Sequence, residues 1–137
     1  MHLRPAIVED IPAVLAFWKL AAEDSNRVGD DAATVAALIE RDPAALTVVV
    51  DEGEIIGSLI AGFDGWRCHL YRFAVRPDRR RQGIGRLLLD AAEERFRRFG
   101  AWRADAMILD DNTLAHQAWT AHGYAAQPEW HRWVKVL

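Results

Sequence analysis

The chain has a single cysteine, Cys68, in 137 residues. One thiol cannot close an internal disulfide, and the absence of a second excludes zinc-finger spacing, so nothing in the letters implies a metal. Long apolar runs are missing too. No window approaches the ~18 apolar residues of a membrane helix, and the opening "MHLRPAIVED" lacks the apolar stretch of a secretory signal. The expectation is a cytoplasmic protein without membrane contact. Positive charge is not in excess: the net charge is −3, which argues against a nucleic-acid binder, because such proteins neutralise several phosphates with a basic surface. There is no low-complexity tract or solenoid repeat, and the length suits one domain over residues 1–137.

What charge there is lies unevenly. Between Arg76 and Arg86, five arginines (76, 79, 80, 81 and 86) accompany one acid, Asp78, a local +4. Between Glu23 and Asp31, four acids (23, 24, 30 and 31) accompany Arg27, a local −3. The pattern fits one anionic and one cationic ligand, or two solvated faces.

Residues 2–7 read as a short strand that Pro5 confines to an edge or pushes to a later start. Asp10 can cap a helix over Ile11 to Ala22, with Val14, Leu15, Phe17, Trp18 and Ala21 on its apolar face. Asp30 or Asp31 can cap a second helix, Ala32 to Arg41. "LTVVVDEGEIIGSLIAGF" is a hairpin turning at Glu52-Gly53, and "RCHLYRFAVRP" is a third β-rich run. From Ile84 the apolar period becomes helical, through Leu87, Leu88, Ala91, Ala92, Phe96 and Phe99, and Gly100 closes the helix. "RADAMIL" is a strand, Asp111 or Asn112 caps a last helix to about His122, and "YAAQPEWHRWVKVL" ends as a short strand and a longer one. The order β-α-α-β-β-β-α-β-α-β-β predicts an α+β fold with a mixed, mostly antiparallel sheet and helices on both faces.

Gly83 and Gly85 fall between a strand and a helix, where the free N–H groups of the helix start meet the positive end of its dipole. A dinucleotide fingerprint would need a third glycine where Leu88 stands, and a P-loop would need Lys-Ser/Thr where Arg86 and Leu87 stand. A phosphate cradle and a structural glycine turn both remain.

"VRPDRRRQGIGRLL" resembles motif A of the GNAT family of N-acetyltransferases, a strand ending V-x-P followed by R/Q-x-x-G-x-G/A and a helix; Arg80, Gly83 and Gly85 fill its positions. "NTLAHQAWTAHGY" resembles the family's N-x-x-A-x-x-x-Y-x-x-x-G-F through Asn112, Ala115 and Gly123, with Tyr124 in place of Phe. "DGWRCHLYRFAVRP" is similar to a bacterial subgroup of unassigned substrate.

The resemblance implies acetyl-CoA as co-substrate. Its pyrophosphate would rest on the backbone N–H groups of Arg81, Gln82, Gly83, Ile84, Gly85 and Arg86, leaving Arg79 to face solvent or the 3′-phosphate. The pantetheine arm would lie like an added strand along Phe73, Ala74 and Val75, with the Val75 N–H donating to the thioester oxygen. His69 stands where the histone-modifying branch carries a glutamate base, with Asp64 as rival, although Asp64-Gly65 is also a plain turn. The tyrosine acid of the family is replaced by Trp119, which walls the CoA sulfur or packs in the core, so the thiolate leaves unassisted or is protonated by water. Asn112 and Trp119 share one helix face toward the co-substrate. The acceptor is expected to be a cationic primary amine, on a small molecule or a protein, held near Asp30 or Asp31. The alternative is a non-catalytic acyl-CoA sensor on the same fold. Trp130 and Trp133 read as core packing, with a homodimer contact as the second option.

Overall fold

A computed structural model of the chain describes residues 1–21 and 30–137. Strand β1 (His2–Pro5) leads through a 3-10 turn, Val8–Asp10, into helix α1 (Ile11–Ala21). Helix α2 (Ala32–Arg41), strands β2 (Leu46–Asp51), β3 (Glu54–Phe63) and β4 (Cys68–Val75), helix α3 (Ile84–Arg98), strand β5 (Ala104–Ala106) and helix α4 (Thr113–Ala121) follow. The five strands lie in chain order, β1 to β4 antiparallel and β5 parallel to β4. The parallel pair is what a helical crossover between neighbouring strands requires, and α3 is that crossover.

The sheet buries both faces. On one, Val14, Phe17 and Trp18 of α1 and Val35 and Ile39 of α2 pack on Leu46, Val48 and Val50. On the other, Ile84, Leu88, Leu89 and Phe96 of α3 and Trp119 of α4 pack on Val49, Ile56, Leu59 and Leu70. Alternating β2 residues thus serve opposite layers, the period-2 rule applied to a covered sheet. The β2–β3 turn places Glu52 at φ 49° and Gly53 at φ 77°, the two positive angles of a type I′ hairpin.

Three local expectations need correction. Asp10 does not cap α1: it sits at the end of the 3-10 turn, where its carboxylate accepts from the Ile7 N–H at 2.8 Å and from Arg4 at 2.7 and 2.9 Å. β5 spans three residues instead of the seven of "RADAMIL", and the two strands expected after Gly123 do not form. So short a β5 gives a following strand little edge to pair with, and the tail stays in solvent, with Trp130 72%, Trp133 95% and Val136 91% exposed. These tryptophans are therefore not core residues. The C-terminal end expected for α1, Ala22, lies outside the described residues.

Candidate active site

β4 and β5 pair only from Cys68 to Leu70, in register with Ala104 to Ala106, and then part company. Beyond Leu70, β4 runs on to Val75 beside β3 alone among the described residues. The Arg76 N–H donates to the Ile56 carbonyl at 2.9 Å, and Ala74 is in register with Ser58, so Ala74 and Arg76 turn their backbone polar groups toward β3. Val75, between them, turns its N–H and C=O the other way, into the opening left by β5; Phe73 has the same parity.

A bulge sets that parity. The β3–β4 register slips between Ser58 and Ile60, and Arg72 adopts φ 49°. Ahead of the bulge Cys68 and Leu70 face α3; after it Phe73 and Val75 do. Ala74 joins the α1 layer instead. The Arg72 carbonyl accepts from the Ser58 hydroxyl at 2.8 Å, and Ser58 Oγ accepts from the Trp18 indole at 2.9 Å.

The glycine turn lies at the same end of β4. Arg81 (φ 62°) and Gly83 (φ 82°) are both left-handed, and Gly83 caps α3. The first helical bond runs from the Leu87 N–H to the Gly83 carbonyl at 3.0 Å, so the N–H groups of Ile84, Gly85 and Arg86 have no acceptor within the helix. The two glycines differ. A Cβ on Gly83 would meet nothing within 4 Å, leaving an open cradle in front of those donors, whereas one on Gly85 would lie 3.1 Å from Cζ of Phe73. The cradle fits an anionic group approaching the backbone. Arg80 borders it in an extended conformation, and Gln82 is exposed. Arg79, expected to face solvent or the 3′-phosphate, is not left free in solvent, because it pairs with Asp51 at 2.8 Å and reaches Gln82 Oε1 at 3.1 Å. Arg76 is held by Glu54 at 2.6 Å and Asp78 at 2.7 Å, and Arg86 lies 3.7 Å from Asp90.

On α4, the Asn112 side chain caps the helix by accepting from the Ala115 N–H at 3.1 Å. Trp119 is buried, edge-on to Phe73 (centroids 5.0 Å) and to Tyr124 (4.9 Å). It is a core residue that forms the wall behind the splay. The Tyr124 hydroxyl donates to Glu93 at 3.0 Å, and burial, with the Glu93 charge second, pushes its pKa up, so it holds its proton.

The α1 face of β4 carries the titratable groups. His69 Nδ1 is 2.7 Å from Asp105 Oδ1, and Nε2 is 3.7 Å from Asp64 Oδ2. Asp105, absent from the sequence expectations, is placed there by the parallel register His69↔Asp105; a carboxylate between two alanines in a strand was the one signal for it. Asp64 Oδ1 accepts from the N–H groups of Trp66 and Arg67, each at 2.7 Å. Those bonds, and then the nearby His69, hold its carboxyl below the usual range. The turn reading of Asp64 holds, with its other oxygen toward His69. Burial, then the charges of Asp105 and Asp64, raises the pKa of the Tyr71 phenol. Cys68 is buried and its thiol is likewise pushed up, away from a nucleophilic thiolate.

The expected acceptor residues are engaged otherwise. Asp31 caps α2 through the Thr34 N–H at 2.7 Å, and Asp30 accepts from Arg72 Nε at 2.9 Å. The acidic stretch from Glu23 to Gly29 lies outside the described residues. No cluster of three His, Cys, Asp or Glu side chains arranged for a metal occurs among the described residues, and none of their helices is long and apolar enough to cross a membrane.

The comparisons agree with this geometry. The chain is 29% identical over 112 residues to an acetyltransferase of Pectobacterium atrosepticum, covering 82% of this chain and 79% of that one. It is similar in structure to a ribosomal-protein-alanine N-acetyltransferase of Brucella melitensis, with TM-score 0.71, 25% identity and 90% and 83% of the two chains covered. The fold also matches an N-acetyltransferase of Thermoplasma acidophilum solved with coenzyme A, with TM-score 0.83, 13% identity and 92% and 90% covered. A family model described as the Acetyltransferase (GNAT) family matches residues 14–124, and with the splayed strands and glycine turn already in place, the chain belongs to that family of acetyl-CoA-dependent acyltransferases.

Proposed function

We propose that the chain moves an acetyl group from acetyl-CoA to a primary amine by direct attack, on a small molecule or on a protein. The observation that carries this reading is the Val75 backbone, turned into the β4–β5 opening one short turn away from the open N-terminus of α3. Acetyl-CoA supplies the activated thioester. The N–H groups from Arg81 to Arg86, with Arg80 beside them, would bind the pyrophosphate, and the strand edge from Phe73 through Ala74 to Val75 would align the arm. The Val75 N–H would stabilise the negative charge that grows on the thioester oxygen, a preset dipole that needs no reorganisation during attack.

The amine attacks only when neutral. His69, held between Asp105 and Asp64, is the group to take its proton, directly or through water. Asp64 and Asp105 are partly exposed on this face, at 53% and 41%, and would attract the cationic form of the acceptor before it is deprotonated. Asp30 and Asp31, already engaged, would then shape this face and not pair with the acceptor. Trp119 and Tyr124 supply no acid, so water protonates the departing thiolate.

That neither Trp119 nor Tyr124 supplies an acid is also what favours the second reading, an acyl-CoA sensor. Thiol release from acetyl-CoA across a panel of polyamines, amino sugars and peptides separates the two. Amine-dependent release, strongly reduced in His69→Gln, is the expected result. Acetyl-CoA binding without release on any amine would leave only the sensor.

A further inference from the structure

Ser58 is an anomaly in β3. It has no exposed surface, yet it carries a hydroxyl in a run where Ile56, Leu59 and Ala61 are apolar and buried. A hydroxyl is tolerated there only if bonded, and this one is used twice: it accepts from the Trp18 indole at 2.9 Å and donates to the Arg72 carbonyl at 2.8 Å. An alanine in its place would remove the acceptor of the Trp18 indole bond and the donor to the Arg72 carbonyl.

The carbonyl it holds belongs to the bulge. Arg72 sits at φ 49°, a region that residues other than glycine occupy only when their surroundings insist. The Arg72 side chain is fixed too, its guanidinium 5.7 Å from the Trp18 ring centroid and bonded to Asp30. Trp18 thus meets the bulge twice, once through its ring and once through Ser58. Removing the bulge would shift β4 by one residue against β3, turning the Val75 N–H from the opening toward β3 and its side chain from α3 toward α1.

We infer that Ser58, backed by Trp18, is a positioning residue for acyl transfer: its hydroxyl locks the Arg72 bulge, and the locked bulge aims the Val75 N–H at the thioester oxygen. The inference rests on the proposed function and adds residues on α1 and β3 that would touch neither co-substrate nor acceptor.

Titration of the full chain with acetyl-CoA labelled with carbon-13 at the carbonyl reads the aimed contact directly, and CoA alone reports binding without it. Wild type should bind both and shift the carbonyl resonance downfield. In Ser58→Ala the resonance should move back toward its free position and kcat should fall about ten- to a hundredfold, while CoA affinity falls clearly less than kcat, by about two- to fivefold, since the arm loses part of its strand edge but the phosphate cradle is untouched. Glycine adopts φ 49° without help, so Arg72→Gly in the Ser58→Ala background should recover part of the carbonyl shift. If Ser58→Ala does not fold, Trp18→Phe keeps the hydroxyl and should give an intermediate shift. A wild-type carbonyl shift in Ser58→Ala or, where that variant does not fold, in Trp18→Phe overturns the inference, as does no recovery in the double variant or a parallel loss of CoA affinity. A wild-type chain that binds no acetyl-CoA overturns the proposed function itself, before any variant is read.

Discussion

Gly83 and Gly85 look equivalent in the sequence and are not. At Gly83 the backbone is left-handed and the space ahead is open; at Gly85 the backbone is ordinary and Phe73 fills the space. Gly83→Leu should therefore destabilise the fold by only about 1–2 kcal/mol, the penalty of a side chain in the left-handed region, while filling the cradle and abolishing CoA binding in calorimetry. Arg79→Ala should weaken binding only about two- to fivefold, the worth of one screened charge, because Arg79 already pairs with Asp51. Equal losses for both variants would make the charged strip the site, not the turn. The letters showed the glycines and their spacing. They could not show which was conformational and which was steric, because φ at Gly83 and the approach of Phe73 depend on how α3 docks on β4.

Among elements, those with a clear period are the ones the sequence disclosed. α2 and the start of α3 follow from capping and from the apolar spacing after Ile84, and the Glu52-Gly53 hairpin follows from its turn residues. The bulge at Arg72 had no such mark, since arginine is not a residue that favours positive φ. Trp119 marks where the motif departs from the family's tyrosine: an indole is no acid, and the structure packs it in the core against Phe73 and Tyr124. Trp119→Phe should keep turnover close to wild type and lower stability by about 1–2 kcal/mol, read by thiol release and denaturant unfolding. The junction of β1 with α1 makes a pH prediction. Hydrogen bonds from Arg4, reinforced by the Ile7 N–H, hold the Asp10 carboxyl below its ordinary value. Its contribution is then fully present above the usual carboxylate range and is lost as pH falls through the depressed value. Asp10→Asn should lower Tm at neutral pH by about 1 kcal/mol equivalent, with the gap to wild type closing at acid pH in paired thermal melts.

For the whole molecule, charge counted along the chain gave the wrong picture of the arginine strip, and the tail shows the same dependence on what lies across the fold. The β2–β3 turn carries Asp51 to Arg79 and Glu54 to Arg76, so part of the local +4 is neutralised by residues more than twenty positions away. The tail's tryptophans and valines looked like strand residues because alternation and β-propensity are local, whereas a strand also needs a neighbour, and β5 offers three residues. Trp133, Val136 and Leu137 are almost wholly exposed, so almost no apolar area is lost with them. Deleting residues 128–137 should therefore change Tm by less than about 2 °C, because a domain of this size moves only a few degrees for each kcal/mol. A drop of 5 °C or more in differential scanning calorimetry would mean that the tail closes the sheet edge in solution and that "WHRWVKVL" forms the terminal strand its residues predict.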